Sequence, residues 1–135
     1  MKTGVIAFVL SAITVTASAA GARPTDAQLD MAFAKADADK NGTLNLAEAI
    51  KFGIMDVAFE KANPDKDGSL DKGEFLAAIT YQFERANPDK DGTLDRQEAA
   101  KAGITSKKVF EGANPDNDGT LDLSEYVQAL MLKAK

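Results

Sequence analysis

The chain has 135 residues, a formal net charge of −5, no cysteine and no histidine. It therefore lacks the usual ligands of zinc, copper and haem sites, and it cannot build a Cys or His nucleophile–base pair. Because Ser69, Ser106 and Ser124 have no His to activate them, we do not expect an enzyme. The acidic balance also disfavours nucleic acid and anionic membrane surfaces as partners.

The first twenty residues differ in character from the rest. Lys2 precedes an apolar run over 5–15, and small residues cluster over 17–20. This pattern predicts a secretory signal peptide over 1–20, followed by a single domain over 21–135. The alternative is an anchoring transmembrane helix, but the apolar run is short and is diluted by Ser and Thr. We therefore expect a periplasmic protein with no membrane attachment after cleavage.

The rest of the chain is organised around a repeated hexapeptide. Asn-Pro-Asp-Lys-Asp-Gly begins at residue 63 and again at residue 87, and a version with Asn for Lys begins at residue 114. A looser copy begins at residue 37, and a Glu follows six residues after the Gly of every copy. This is the spacing of EF-hand metal loops. It predicts four loops, over 37–48, 63–74, 87–98 and 114–125.

Each loop carries oxygen-bearing residues at every ligand position. An EF-hand loop supplies oxygens from positions 1, 3, 5, 7 and 12, position 7 through its backbone carbonyl, and position 9 acts directly or through water. The Gly at position 6 permits a left-handed turn around the ion. The predicted ligands of loop one are Asp37, Asp39, Asn41, Thr43, Asn45 and Glu48. Those of loop two are Asn63, Asp65, Asp67, Ser69, Asp71 and Glu74. Those of loops three and four are Asn87, Asp89, Asp91, Thr93, Asp95 and Glu98, then Asn114, Asp116, Asp118, Thr120, Asp122 and Glu125.

The residues that flank the ligands also repeat. Each loop is preceded by a Phe four residues before its first ligand and has a Leu at its eighth position. We expect the Phe side chains to lie in the core and the Leu residues to join paired loops in a short antiparallel bridge. The residues concerned are Phe33, Phe59, Phe83 and Phe110, with Leu44, Leu70, Leu94 and Leu121.

The spacers between loops have only 14, 12 and 15 residues. A separate exit helix, turn and entry helix usually take about twice that length. The middle spacer has an apolar stripe and no breaker, which predicts a continuous helix from about 72 to 86. Gly53 and Gly103 in the outer spacers predict helix C-caps, each followed by a short new helix, the second capped by Thr105 or Ser106. The predicted fold class is all-α, a compact helical bundle of four EF-hands with short shared helices between the loops.

The two ends of the domain also carry helical signals. Thr25 with Gln28 three residues later predicts a capping box at the start of the first helix. The tail over 126–135 predicts a last helix with Val127, Leu130 and Met131 facing inward.

Proline occupies position 2 of loops two, three and four, as Pro64, Pro88 and Pro115. Its fixed φ ends the entry helix at the first ligand and stiffens the loop, so less chain entropy is lost on binding. With Asp at position 9, the short spacers and the N-terminal signal, this pattern resembles the lanmodulins, bacterial periplasmic lanthanide-binding proteins. The resemblance covers nearly all of the chain after residue 20. It implies selective binding of trivalent lanthanides over calcium by loops two to four, a three-helix core and loops paired across that core.

Two features depart from that family. Position 1 is Asn instead of Asp in loops two to four, which removes a negative charge from each loop and lowers the electrostatic gain from a trivalent ion. Loop one lacks the Pro and has Asn45 at position 9, like an ordinary calcium loop. The predicted cofactors are therefore lanthanide(III) ions or Ca²⁺, in a carrier or buffer.

Two other functions remain open, a calcium-binding buffer and a metal-dependent module that docks on a periplasmic protein partner. Met31, Met55 and Met131 could line such a docking surface, although their helical spacing favours the core. Fifteen of the 21 acidic residues occupy ligand positions. Because these carboxylates repel one another without a cation, we expect the metal-free chain to be loose and to fold on binding.

Overall fold

The structure is a computed structural model that describes residues 23–134, so the predicted signal peptide lies outside the described residues. The described chain consists of short helices joined by loops, with two strands of two residues each. The helices are α1 (Asp26–Ala36), α2 (Leu46–Phe52), α3 (Asp56–Lys61), α4 (Lys72–Arg85), α5 (Arg96–Lys101), α6 (Lys107–Gly112) and α7 (Leu123–Lys133), and the strands are β1 (Leu44–Asn45) and β2 (Ser69–Leu70). Over 23–134, every helix is too short or too polar to cross a membrane.

The spacers fold as the sequence predicts, except that the C-cap of α5 is Ala102, one residue before Gly103. The middle spacer is one helix, α4, which runs from the end of loop two to Ala86, its C-cap, at the start of loop three. The outer spacers are each two short helices broken at a Gly with positive φ, +124° at Gly53 and +98° at Gly103. Glycine adopts this conformation without the steric cost that a Cβ adds. Ser106 caps α6 by accepting a hydrogen bond from the Val109 N–H at 3.3 Å.

The capping box predicted at the start of α1 is only half present. Thr25 Oγ1 accepts a hydrogen bond from the Gln28 N–H at 3.0 Å, as predicted. The Gln28 side chain, however, bonds to Ser124 at the start of α7. Its Nε2 donates to the Ser124 carbonyl at 2.9 Å, and Ser124 Oγ donates to Gln28 Oε1 at 2.8 Å. This paired contact ties the first helix to the last, which a local capping rule does not predict.

The core lies between the three longest helices, α1, α4 and α7, which contact one another pairwise. This arrangement agrees with the three-helix core that the family resemblance implied. Phe75 of α4 is fully buried at the centre, and the rings of Phe33 and Phe52 lie edge-on to it at centroid distances of 5.5 and 5.3 Å. Of the four Phe residues of the repeat, three are buried and Phe33 is half-buried against this cluster.

The prediction that paired loops join at their eighth position is confirmed. Leu44 pairs with Leu70 in the antiparallel β1–β2 sheet, which joins loop one to loop two. Leu94 and Leu121 form an isolated antiparallel bridge with N–H···O distances of 2.7 and 2.8 Å, which joins loop three to loop four. All four side chains are fully buried, so the bridges also hold the loop pairs against the core.

The methionines differ in how far they occupy the core position that their helical spacing favoured, and Met131 packs against the core. Met31 on α1 is 60% exposed, so a core position is wrong for this residue. Met55 and Met131 are both half-buried.

Candidate metal centre

Each loop turns twice through the left-handed region of backbone conformation. The predicted turn at the position-6 Gly is present in all four loops, with φ between +83° and +89°. A second left-handed residue, which the sequence reasoning missed, occupies position 4. These residues are Lys40, Lys66, Lys90 and Asn117, with φ values of 60°, 54°, 56° and 56°. The two turns curl the chain so that positions 1, 3, 5 and 7 approach one another.

A ladder of side-chain hydrogen bonds supports this curl. In loop three, Asp89 Oδ1 accepts from the Asp91 N–H at 3.3 Å, and Asp91 Oδ1 accepts from the Thr93 N–H at 2.9 Å and from its hydroxyl at 3.1 Å. The other loops repeat this pattern between positions 3, 5 and 7. The position-7 hydroxyl is thus used inside the loop. Its carbonyl oxygen remains to face the ligands, as the EF-hand pattern predicts.

The Asn side chain at position 1 of loops two, three and four points into a group of oxygen atoms. Asn87 is 5% exposed, and its amide oxygen lies 2.7 Å from Asp89 Oδ1, 3.1 Å from Asp91 Oδ1 and 3.1 Å from the Thr93 carbonyl oxygen. The equivalent distances are 2.7, 3.0 and 3.2 Å for Asn63, and 2.8, 3.1 and 3.1 Å for Asn114. Four predicted ligand positions therefore converge within hydrogen-bond distance in each of these loops.

The last two predicted ligands of every loop also form a capping box for the helix that follows. The position-9 residue is the N-cap, and the position-12 Glu is the third residue of the helix. In loop two, Asp71 Oδ1 accepts from the Glu74 N–H at 2.8 Å, and Glu74 Oε1 accepts from the Asp71 N–H at 3.0 Å. The same two distances recur in the other loops. Because one Glu oxygen is engaged in this box, the other is available to the loop, and the helix start is coupled to the ligand set.

Loop one holds its ligands differently, because its first residue is a carboxylate. Asp37 Oδ1 accepts from the Asn41 N–H at 3.2 Å, and Oδ2 accepts from the Gly42 N–H at 2.9 Å. The second oxygen of Glu48 accepts from the Asp39 N–H at 3.2 Å, so the end of the loop closes over its beginning.

Two loops bring three carboxylates together. Oxygens of Asp37, Asp39 and Glu48 in loop one lie within 4.8 Å of one another, as do oxygens of Asp89, Asp91 and Glu98 in loop three. Over residues 23–134, loops two and four do not gather three carboxylates within that distance. The four loops thus share a backbone and a ligand order, while the spacing of their carboxylates differs.

Protonation of the carboxylates reflects burial and mutual repulsion. Burial, and then the charges of the other carboxylates of loop four, raises the pKa of Glu125 to about 7. Desolvation and the neighbouring Asp37 and Glu48 raise the pKa of Asp39. Desolvation opposes ionisation at Asp37 as well, but the N–H groups of Gly42 and Asn41 outweigh it and lower the pKa of that carboxyl. Negative charge is therefore concentrated where a cation would stabilise it.

The donor set of the loops is carboxylate, amide and carbonyl oxygen, without nitrogen or sulfur ligands. Hard cations such as Ca²⁺ prefer this set, and flexible loops of this kind supply six or more oxygens. The residues brought together in each loop therefore fit a hard metal ion.

Comparison with known proteins adds similarity to solved structures but no match in sequence. The sequence matches no protein-family model and no curated protein. Among solved structures, the chain is similar to a homologue of programmed cell death 6 protein from Leishmania major Friedlin, with 17% identity and a TM-score of 0.33. The matched region covers 74% of this chain and 69% of that chain.

Proposed function

We propose that this protein binds hard metal cations in its four EF-hand loops and acts as a lanthanide(III)-selective carrier or buffer. The observation that carries the proposal is the oxygen cluster of loops two to four. There the Asn side chain, two Asp carboxylates and a backbone carbonyl approach within 2.7–3.2 Å. The position-12 Glu, fixed by its capping box, supplies a further carboxylate to each loop.

The charge of these loops supports a trivalent ion. Each of loops two, three and four has four carboxylates, at positions 3, 5, 9 and 12, whereas loop one has three. Raising the charge of a bound cation from two to three raises its Coulomb attraction to the same carboxylates by about half, whatever the dielectric constant. The selectivity for a trivalent ion therefore grows with the number of carboxylates, and we expect loops two to four to exceed loop one.

The position of Pro in the loops supports tight binding. Pro64, Pro88 and Pro115 each follow the buried first ligand at the point where an entry helix ends. Because φ is fixed there, the loop loses less conformational entropy when it closes on an ion.

The capping boxes support folding that depends on metal. Each position-9 residue and each position-12 Glu belongs to both the ligand set and the first turn of a helix. Mutual repulsion of the carboxylates opposes this arrangement, and a cation removes the repulsion. We expect helix content to rise when metal binds.

The periplasm is the proposed location. The proposal rests on residues 1–20, whose charged start, apolar run and small-residue cluster have the character of a cleavable secretory signal. Detection of the mature chain, beginning near residue 21, in the periplasmic fraction would support it.

Loop one favours a second candidate, a calcium buffer. It has no Pro and carries Asn45 instead of Asp at position 9. These features are those of an ordinary calcium loop. A third role, metal-dependent docking on a protein partner, draws support from the exposed apolar side chains of Met31, Leu46 and Ile50.

A competition titration separates the lanthanide proposal from the calcium alternative. Far-UV circular dichroism would follow folding of the mature chain against buffered free La³⁺ and, separately, buffered free Ca²⁺. We expect La³⁺ to act at a free concentration lower by at least about tenfold, equal to about 1.4 kcal/mol in binding free energy. Folding by both ions at the same free concentration would contradict the lanthanide proposal and favour the calcium buffer.

Terbium luminescence gives a second measure of binding. Tyr126 directly follows Glu125 of loop four, so excitation of tyrosine should sensitise Tb³⁺ held in that loop. In a Tyr81→Phe background, which leaves Tyr126 as the only tyrosine, we expect Glu125→Gln to reduce this emission.

A further inference from the structure

We propose that the side-chain amides of Asn63, Asn87 and Asn114 act as internal hydrogen-bond donors that hold their loops together without metal. On metal binding, each amide must turn over so that its oxygen replaces its NH₂ group. This inference deepens the proposed function and rests on it, because it concerns the same loops. It identifies the position-1 Asn as a residue that balances loop stability against metal affinity.

The distances around each amide fit either an NH₂ group or an oxygen atom at its inward end. The inward amide atom of Asn87, which is the oxygen in this structure, has only oxygen neighbours, at 2.7–3.1 Å. An NH₂ group there would share its two hydrogens among Asp89, Asp91 and the Thr93 carbonyl, since all three distances lie in the usual N–H···O range. An oxygen atom there would repel all three neighbours unless a cation lay among them. The nitrogen and oxygen ends of an amide have nearly the same shape, so both arrangements fit the same loop.

The outward end of the amide is satisfied in the same orientation. With NH₂ inward, the oxygen of Asn87 accepts from the Gly92 N–H at 3.2 Å, and the oxygen of Asn114 accepts from the Gly119 N–H at 3.2 Å. These glycines are the left-handed residues at position 6. In this orientation, the side chain of Asn87 or Asn114 would tie together four points of its loop, at positions 3, 5, 6 and 7.

Burial makes these bonds energetically important. The three Asn residues are 5–7% exposed, so an amide without partners would bear a desolvation cost there. Hydrogen bonds to carboxylates are also stronger than bonds between neutral groups. The inward NH₂ group therefore offsets part of the repulsion between the position-3 and position-5 carboxylates.

Loop one lacks this device. Asp37 occupies the equivalent place, and both of its carboxylate oxygens accept from backbone N–H groups of the loop. An ionised carboxylate has no hydrogen to give to Asp39. Loop one therefore depends more on a cation for its closure than loops two to four do.

The test compares two Asn→Asp variants in loop four of the mature chain. Asn114→Asp removes the inward NH₂ group, whereas Asn117→Asp adds the same charge at an exposed residue three positions later. In metal-free protein, we expect Asn114→Asp to lower the folded-to-unfolded ratio about tenfold and Asn117→Asp to change it much less, measured by far-UV circular dichroism in a titration with a stabilising osmolyte, which populates the folded state without metal. In the lanthanum titration, we expect Asn114→Asp to bind more tightly than both the parent and the control. Its loop gains a carboxylate and has no amide hydrogen bonds that must break when the ion binds.

The side-chain NH₂ signals give a direct readout in metal-free protein. In ¹H–¹⁵N spectra, we expect the Asn63, Asn87 and Asn114 signals to be displaced from the Asn117 signal and to exchange more slowly with water. Coincidence of these signals with that of Asn117, or equal loss of metal-free stability in both variants, would overturn the inference even if metal binds. If the parent binds no metal, the proposed function fails, while these metal-free readouts still report whether the amides act as donors.

Discussion

The side-chain amide of Gln82 donates a hydrogen bond to the hydroxyl of Tyr126 at 2.8 Å, in the interior between α4 and α7. The Tyr126 hydroxyl in turn donates to the Ala102 carbonyl at 2.8 Å, beside the turn at Gly103. Gln82 also donates to the Gly53 carbonyl at 3.2 Å and accepts from the Met55 N–H. The Gly-containing turns of the two halves are thus joined through one buried polar chain.

The first prediction concerns this chain. Tyr126→Phe removes the hydroxyl and leaves a buried Gln82 N–H and the Ala102 carbonyl without their partner. We expect a loss of about 1–3 kcal/mol in the free energy of unfolding, measured by urea titration of metal-loaded protein. Tyr81→Phe on α4 is the matched control, since Tyr81 is half-buried. Equal stability of the two variants would show that the polar chain contributes little.

Much of the fold follows from rules that act locally, and the sequence predicts those parts. The single helix of the middle spacer, the breaks at Gly53 and Gly103, and the Leu bridges all depend on patterns within a few residues of each element. The repeat also makes the bridges predictable, because a Leu at the eighth position of all four loops identifies which residues pair.

The polar contacts of the interior were not predictable, because their partners are distant in sequence. Gln82 finds partners 29 and 44 residues away, and Gln28 finds Ser124 96 residues away. Read locally, Gln28 fits a capping box and Gln82 fits an exposed helical position. Only the packing of α1, α4 and α7 brings their partners within reach.

Prediction of the metal loops was limited in a different way. The ligand positions follow from the EF-hand pattern, but the capping boxes were missed although the sequence carries their signal, an Asp or Asn followed by Glu three residues later. Their residues were interpreted only as metal ligands. The left-handed Lys40, Lys66 and Lys90 had no such signal, because lysine has no preference for that conformation.

The second prediction tests the ligand role of position 12 separately from its capping role. Glu98→Gln keeps a side chain that can accept the capping hydrogen bond but removes its charge. We expect lanthanum affinity at loop three to fall by about tenfold or more, while the metal-loaded helix content changes little. Isothermal calorimetry under chelator competition would show one site weakened. Glu111→Gln on α6 is the control, since Glu111 is exposed and outside the loops. An equal effect in both variants would argue against Glu98 as a ligand.

The third prediction concerns the Pro at position 2. Pro115→Ala restores φ freedom to loop four before metal binds, at an exposed residue. We expect metal binding at that loop to weaken by about 0.4–1 kcal/mol, or about twofold to fivefold, because more chain entropy is lost on binding. Pro24→Ala provides the control, as Pro24 precedes α1 and lies outside every loop. Equal metal affinities of the two variants would contradict the proposal that Pro fixes the loop conformation before metal binds.

The fourth prediction contrasts two glycines of the scaffold. A Cβ at Gly53 would lie 2.9 Å from Leu130 Cδ2, at a φ of +124° that side chains rarely adopt. We therefore expect Gly53→Ala to reduce the free energy of unfolding by about 1–3 kcal/mol. Gly73 lies in the first turn of α4, where a Cβ would meet only Asp71 Oδ1 at an ordinary 3.5 Å. Gly73→Ala should raise stability by up to about 1 kcal/mol, because alanine is the better helix former. Urea titration of metal-loaded protein measures both, and a shift of the same sign in the two variants would contradict the role of Gly53 at the turn.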